Sequence, residues 1–139
     1  MTTSPTLRIA VLDDSQFYNA LLTEQLHEYA TALSLESGFN VEMQAFLDAH
    51  DFLDHLDPNT DVAFIDFYLG EGTTASDVLH KLKRVSPDCE VIIISKLRNL
   101  SSAIKPLAEG ATQFIFKDNG ALVQSCLVLK DLVNRRFNA

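Results

Sequence analysis

The chain has 139 residues, enough for one domain around a single core, and its 47% hydrophobic content is that of a soluble globular protein and not of a disordered one. Nineteen acidic against eleven basic residues give a formal net charge of −8, which excludes a nucleic-acid binder that needs a basic face. Cys89 and Cys126 stand far apart without metal-type spacing, the start MTTSPTLR has no apolar signal core, and no run reaches the length of a membrane span; a reduced, cytoplasmic chain with no membrane insertion is expected.

A short tail, residues 1–6, leads into the first expected strand, Leu7–Leu12. Asp13 and Asp14 follow, and Ser15 caps a helix whose apolar stripe is Phe17, Leu21, Leu22, Leu26, Tyr29 and Leu33, stopped by Gly38. Val41–Phe46 and Asp61–Asp66 read as strands around a short helix from Asp48 to Leu56, which Asp57-Pro58 ends. A third helix runs from about Ala75 to Val85, with Val78, Leu79 and Leu82 inward and Pro87 just beyond, and Glu90–Ser95 is the fourth strand. Asn99 to Glu109 has a helical pattern, but Pro106 removes an amide donor and crowds the preceding turn, so a short or irregular fourth helix is expected. Thr112–Phe116 is the fifth strand, and a last helix from near Asn119 carries Leu122, Val123, Cys126, Leu129, Leu132 and Val133 on one side. Strand and helix alternate five times, which predicts an α/β fold: a doubly wound, five-stranded parallel sheet flanked by helices. Three strands are nearly continuous apolar runs, as strands buried on both faces require.

Four of these runs stop at a residue able to handle a phosphate or a cation: Asp13-Asp14, Asp66, Ser95 and Lys117. Ligands of open α/β sheets bind at the carboxyl ends of strands. Three carboxylates gathered there would repel strongly, by roughly 3 kcal/mol per pair at about 5 Å and an effective dielectric near 20. Either their pKa values rise or a hard cation joins them, and all-oxygen ligands favour Mg²⁺. A carboxylate can also act as a nucleophile towards phosphorus, with a lysine as point-charge clamp and a serine hydroxyl as donor to a phosphoryl oxygen. Taken singly, Asp13-Asp14-Ser15 reads more readily as a helix cap, Asp66 equally as a loop acid, Ser95 more often as a polar strand end and Lys117 more often as a solvated lysine. Their common placement at strand ends is what points to one site.

These motifs resemble those of response-regulator receiver domains of two-component signalling, over nearly the whole chain, residues 7–137. The resemblance implies the flavodoxin-like receiver fold, with Asp13 and Asp14 of VLDDS as metal-binding acids and Asp66 of FIDFYLG as phosphoacceptor. It implies Ser95 of IIISK as switch hydroxyl, Lys117 of GATQFIFKD as the site lysine and Phe114 as the aromatic that reorients. The Tyr68 main-chain carbonyl would be a further Mg²⁺ ligand. The chain departs from the family pattern in four places: Asp118 replaces the proline that often follows the lysine, Lys96 adjoins Ser95, Tyr68 puts a ring two residues after Asp66, and the first helix with its loop is longer.

The expected function is therefore a phosphorylation-dependent switch and not a conventional enzyme: it takes a phosphoryl group onto Asp66 from a histidine kinase or histidine phosphotransfer protein and loses it slowly by self-hydrolysis. Tyr68 and Lys96 are expected to flank the phosphoryl group and hinder water. Only Asn138 and Ala139 follow the last helix, so no output domain is expected, and the signal would pass to an unidentified protein through the fourth helix, fifth strand and fifth helix. The competing readings are a phosphorylation-independent receiver-like adaptor, an aspartate-nucleophile phosphatase and a nucleotide-binding fold. Tyr68 stands where the phosphatase needs a second acid, and the nucleotide fold lacks its glycine-rich loop after the first strand.

Overall fold

The structure, a computed structural model, describes residues 4–70, 72–96 and 100–138. Its elements are β1 (Thr6–Leu12), α1 (Gln16–Ser37), β2 (Asn40–Phe46), α2 (Ala49–His55), β3 (Val62–Asp66), α3 (Ala75–Val85), β4 (Glu90–Ser95), α4 (Leu100–Ala108), β5 (Gln113–Phe116) and α5 (Ala121–Phe137). The five strands form one parallel sheet in the order β2-β1-β3-β4-β5, the flavodoxin-like doubly wound arrangement. Alternation of strand and helix accounts for the parallel pairing, because a parallel neighbour is reached only by a crossover, and right-handed crossovers in both directions from β1 cover both faces.

The three apolar strands, β1, β3 and β4, are the central ones, while β2 alternates exposed and half-buried residues at one edge. On one face Leu7, Ile9, Val11, Phe64 and Ile92 pack with Leu22 and Leu26 of α1 and Leu129, Leu132 and Val133 of α5. On the other, Leu12, Ala63, Ile65 and Ile93 pack with Phe52 of α2 and Val78, Leu79 and Leu82 of α3.

Local chemistry sets the helix ends. The Ser15 hydroxyl accepts from the Tyr18 amide, and the Asp48 carboxylate accepts from the Asp51 amide. Gly38 closes α1 with φ +70°, and its amide donates to the Ser34 carbonyl, the left-handed cap that glycine permits. Thr74 and Asp77 form a capping box at α3.

Several sequence expectations need correction. Phe17 is 79% exposed and Val123 is 63% exposed, although both were expected inward. In α1 the inward face is Asn19, Leu22, Leu26 and Ala30, and in α5 it is Ala121, Ser125, Leu129, Leu132 and Val133; a residue two positions away lies about 200° round the helix. β3 begins at Val62, and Asp61, expected to open it, lies just outside with its carboxylate accepting from the Arg8 amide. The fourth helix starts at Leu100; Asn99, where it was expected to begin, lies outside the described residues. Pro106 falls near its end, where the one bond that its missing amide removes is to the carbonyl four residues earlier. Among the described residues there is no cis peptide bond, and no helix is long and apolar enough to cross a membrane.

Candidate functional site

The sheet register brings the strand ends level. Leu12 pairs with Ile65, Asp66 with Ile94 and Ser95 with Phe116, so Asp13, Asp66, Ser95 and Lys117 lie at one carboxyl edge. β1 and β3 are neighbours across the topological switch point, where the crossovers part and leave a crevice. Residues two apart on a strand share a face. Val11, Phe64 and Ile115 belong to the α1/α5 core, so Asp13, Asp66 and Lys117 are directed to that side. Ile93, two residues before Ser95, and Phe114 belong to the opposite side.

Main-chain bonds tie the loops together. The Asp13 amide donates to the Phe46 carbonyl (3.1 Å), the Phe67 amide to the Ile94 carbonyl (2.9 Å), and the Lys117 amide to the Ser95 carbonyl (2.6 Å). Each bond fixes a site loop to the adjacent strand.

Within this frame the carboxylates of Asp13, Asp14 and Asp66 present oxygens within 4.8 Å of one another. Asp13 is buried, Asp14 is exposed, and the Asp66 side chain is 11% exposed. The Lys117 ammonium is 2.8 Å from Asp13 Oδ2 and 3.5 Å from Asp66 Oδ1. The Lys117 ammonium thus contacts two of the three acids, and it sits closer to Asp13. The Asp66 carboxyl is pushed up from 3.8 to about 6, first by burial and then by the Asp13 charge, with Lys117 opposing. An all-oxygen donor set with surplus negative charge, open to solvent on the Asp14 side, fits a hard divalent cation such as Mg²⁺.

The remaining sequence candidates fall around this cluster. Ser95 is buried at the end of β4, one position past the residue paired with Asp66. Phe114 is half-buried, edge-on to Phe116. Tyr68 is 52% exposed, edge-on to Phe67, and Lys96 is exposed. Gly70 approaches the site from the β3–α3 loop: a Cβ on it would meet Asp14 Oδ2 at 3.4 Å, and its φ is +76°.

Two residues were missed from sequence. Asn19 is buried in the apolar face of α1, and its Nδ2 donates to the Asp13 carbonyl (3.0 Å) and the Phe46 carbonyl (2.7 Å). Thr23 Oγ1 donates in turn to Asn19 Oδ1 (3.2 Å). An asparagine in phase with Leu22 and Leu26 was the available signal, since a buried amide needs partners. Tyr18 places its ring 4.1 Å from Lys117 Nζ. Its hydroxyl is pushed up to about 12 by burial and by the charges of Asp13, Asp66 and Asp118.

No protein-family model matches the sequence, and a search of curated proteins finds no match. The solved structures do match. The BeF3-activated DrrB receiver domain superposes with a TM-score of 0.73 at 22% identity, over 91% of this chain and 97% of that one. The receiver domain of the Francisella response regulator 1452 gives 0.74 at 19% identity, over 93% and 98%. The fold is that of a response-regulator receiver domain. Against the response regulator DrrB, a Thermotoga maritima OmpR/PhoB homolog, the TM-score is 0.74 at 22% identity, and this receiver-fold chain spans 54% of that chain. A CheY-like receiver domain protein from Methanospirillum hungatei gives 0.69 at 19% identity, over 94% and 95%.

Proposed function

We propose that this chain is a phosphorylation-dependent signalling switch in which Asp66 accepts a phosphoryl group from a phosphohistidine of a histidine kinase or histidine phosphotransfer protein. The observation that carries this reading is the Lys117 ammonium set against Asp13 and Asp66 within a three-carboxylate cluster at the sheet's carboxyl edge. An Asp66 oxygen attacks phosphorus; a P–O bond forms as the P–N bond breaks, and its electron pair stays on the imidazole nitrogen. Asp13, Asp14, Asp66 and the Tyr68 main-chain carbonyl would hold Mg²⁺, which supplies charge neutralisation for the phosphoryl oxygens.

Lys117 acts as a point charge towards a phosphoryl oxygen, and the Ser95 hydroxyl donates to another. The displacement of Ser95 lets Phe114, which faces the same side of the sheet, turn inward. The change is read by a protein partner on α4, β5 and α5, where exposed Ile104, Leu107, Val123 and Leu127 supply apolar contact area. Tyr68 and Lys96, exposed at the rim, hinder an attacking water and make the phospho-form long-lived.

Intact mass after incubation with acetyl phosphate, with and without Mg²⁺, tests the proposal. A Mg²⁺-dependent gain of one phosphoryl group, absent in Asp66→Asn, is expected. No gain, with Mg²⁺ binding shown separately, would make the chain a phosphorylation-independent binding module.

A further inference from the structure

Lys117 is held from two unlike sides. Its ammonium meets Asp13 at 2.8 Å and Asp66 at 3.5 Å, and the face of the Tyr18 ring lies 4.1 Å from the same nitrogen. The lysine side chain is only 6% exposed, so the ammonium has given up its water shell and depends on these neighbours. An ammonium this close to a ring centroid is attracted by the ring quadrupole, and more strongly once desolvated. The Tyr18 hydroxyl is buried and has no hydrogen-bond partner among the described residues, and the ring is the part of Tyr18 that contacts the ammonium.

Two acids compete for this one cation. The shorter Asp13 contact draws Lys117 towards β1, whereas phosphoryl transfer requires it beside Asp66. A further carboxylate or a water in place of the ring would bind the ammonium by directed hydrogen bonds and resist its movement. A ring attracts the charge without a fixed direction, which lets the nitrogen shift between Asp13 and the Asp66 side. Tyr18 stands in the first turn of α1, and the Ser15 cap on its amide fixes where that turn begins.

We propose that Tyr18 is a positioning residue of the phosphoryl-transfer site: its ring holds the Lys117 ammonium between Asp13 and Asp66 and keeps water from it. The proposal rests on the reading of Asp66 as phosphoacceptor. Its test has one arm that depends on that reading and one that does not.

The first arm is the rate of phosphorylation by acetyl phosphate with Mg²⁺. Tyr18→Phe keeps the ring and should stay within about 2-fold of the unaltered protein, whereas Tyr18→Leu should be slower by about 3- to 30-fold, the range of a desolvated cation–π contact. In a Lys117→Ala background Tyr18→Leu should cause no further slowing, because residues acting through one contact are not additive. A leucine variant at the original rate, equal slowing in both backgrounds, or a phenylalanine variant as slow as the leucine variant would each overturn the proposal.

The second arm is the NMR signal of the Lys117 Hε protons in the metal-free protein. Ring current should displace it in the unaltered protein and in Tyr18→Phe, but not in Tyr18→Leu. One common position in all three overturns the proposal even where no phosphoryl transfer occurs. Tyr18→Met takes the place of the leucine variant in both arms if that variant does not fold.

Discussion

Replacing Asp66 with asparagine should stabilise the metal-free protein at neutral pH and do much less in acid. The Asp66 carboxyl is raised from 3.8 to about 6 in the folded state, by burial first and by Asp13 second. A folded-state pKa above the unfolded one means that the folded protein holds this proton more tightly. Stability is therefore lost as pH rises from the unfolded value through the folded one, and the full cost is present above about pH 6. The displacement corresponds to about 3 kcal/mol, which solvent screening at the mouth of the site reduces to about 1–2 kcal/mol. Asparagine keeps the shape, removes the charge and leaves the 2.8 Å Asp13–Lys117 pair in place. Urea unfolding followed by circular dichroism in the presence of a chelator gives the comparison. Asp66→Asn should be the more stable protein by about 1–2 kcal/mol near pH 7.5, and the gain should shrink by more than half near pH 4.5. Equal gains at the two pH values, or a less stable variant near neutrality, would refute the claim that desolvated like charge dominates at Asp66.

Asn19→Ala should cost about 2–3 kcal/mol in urea unfolding, because it strips a buried donor from the Asp13 and Phe46 carbonyls; a loss below about 1 kcal/mol would show that the β1–α1 loop is held by other means. Gly38→Ala should cost about 1 kcal/mol by the same measurement, since among the described residues nothing beyond its chain neighbours lies within 4 Å of the added Cβ and the left-handed backbone at φ +70° is what opposes it. A neutral outcome there would mean that the end of α1 re-forms around the alanine. Joint replacement of Tyr68 and Lys96 by alanine should hasten loss of phosphate from the phospho-form, followed by intact mass over time. An unchanged decay would place both side chains out of the path of the attacking water.

Much of this protein is written in local patterns. Apolar runs such as DVAFID and EVIIIS, and the helical spacing of Val78, Leu79 and Leu82, identify strands and helices because burial repeats with the periods of those elements. Ser15, Gly38 and Asp48 mark helix ends through bonds to residues three or four positions away. The alternation of elements then leaves the doubly wound sheet, and with it the placing of Asp13, Asp66, Ser95 and Lys117 at one edge.

Which face of a helix is inward proved less legible, because α1 and α5 each carry apolar residues on more than one side. Packing against the sheet left Phe17 and Val123 outside and took Asn19 and Ser125 in. The balance of charge at the site lay further out of reach. Lys117 bonds Asp13 across 104 positions of chain and Asp66 across 51, and the difference of 2.8 against 3.5 Å between them belongs to no local pattern. Chain order alone therefore determined the fold class and the edge at which Asp13, Asp66, Ser95 and Lys117 gather. Only the tertiary structure decided that Tyr18 backs the lysine, that Asn19 clamps two strand ends and that Asp66 carries a raised pKa, since each depends on distances between elements that meet only when the sheet closes on its helices.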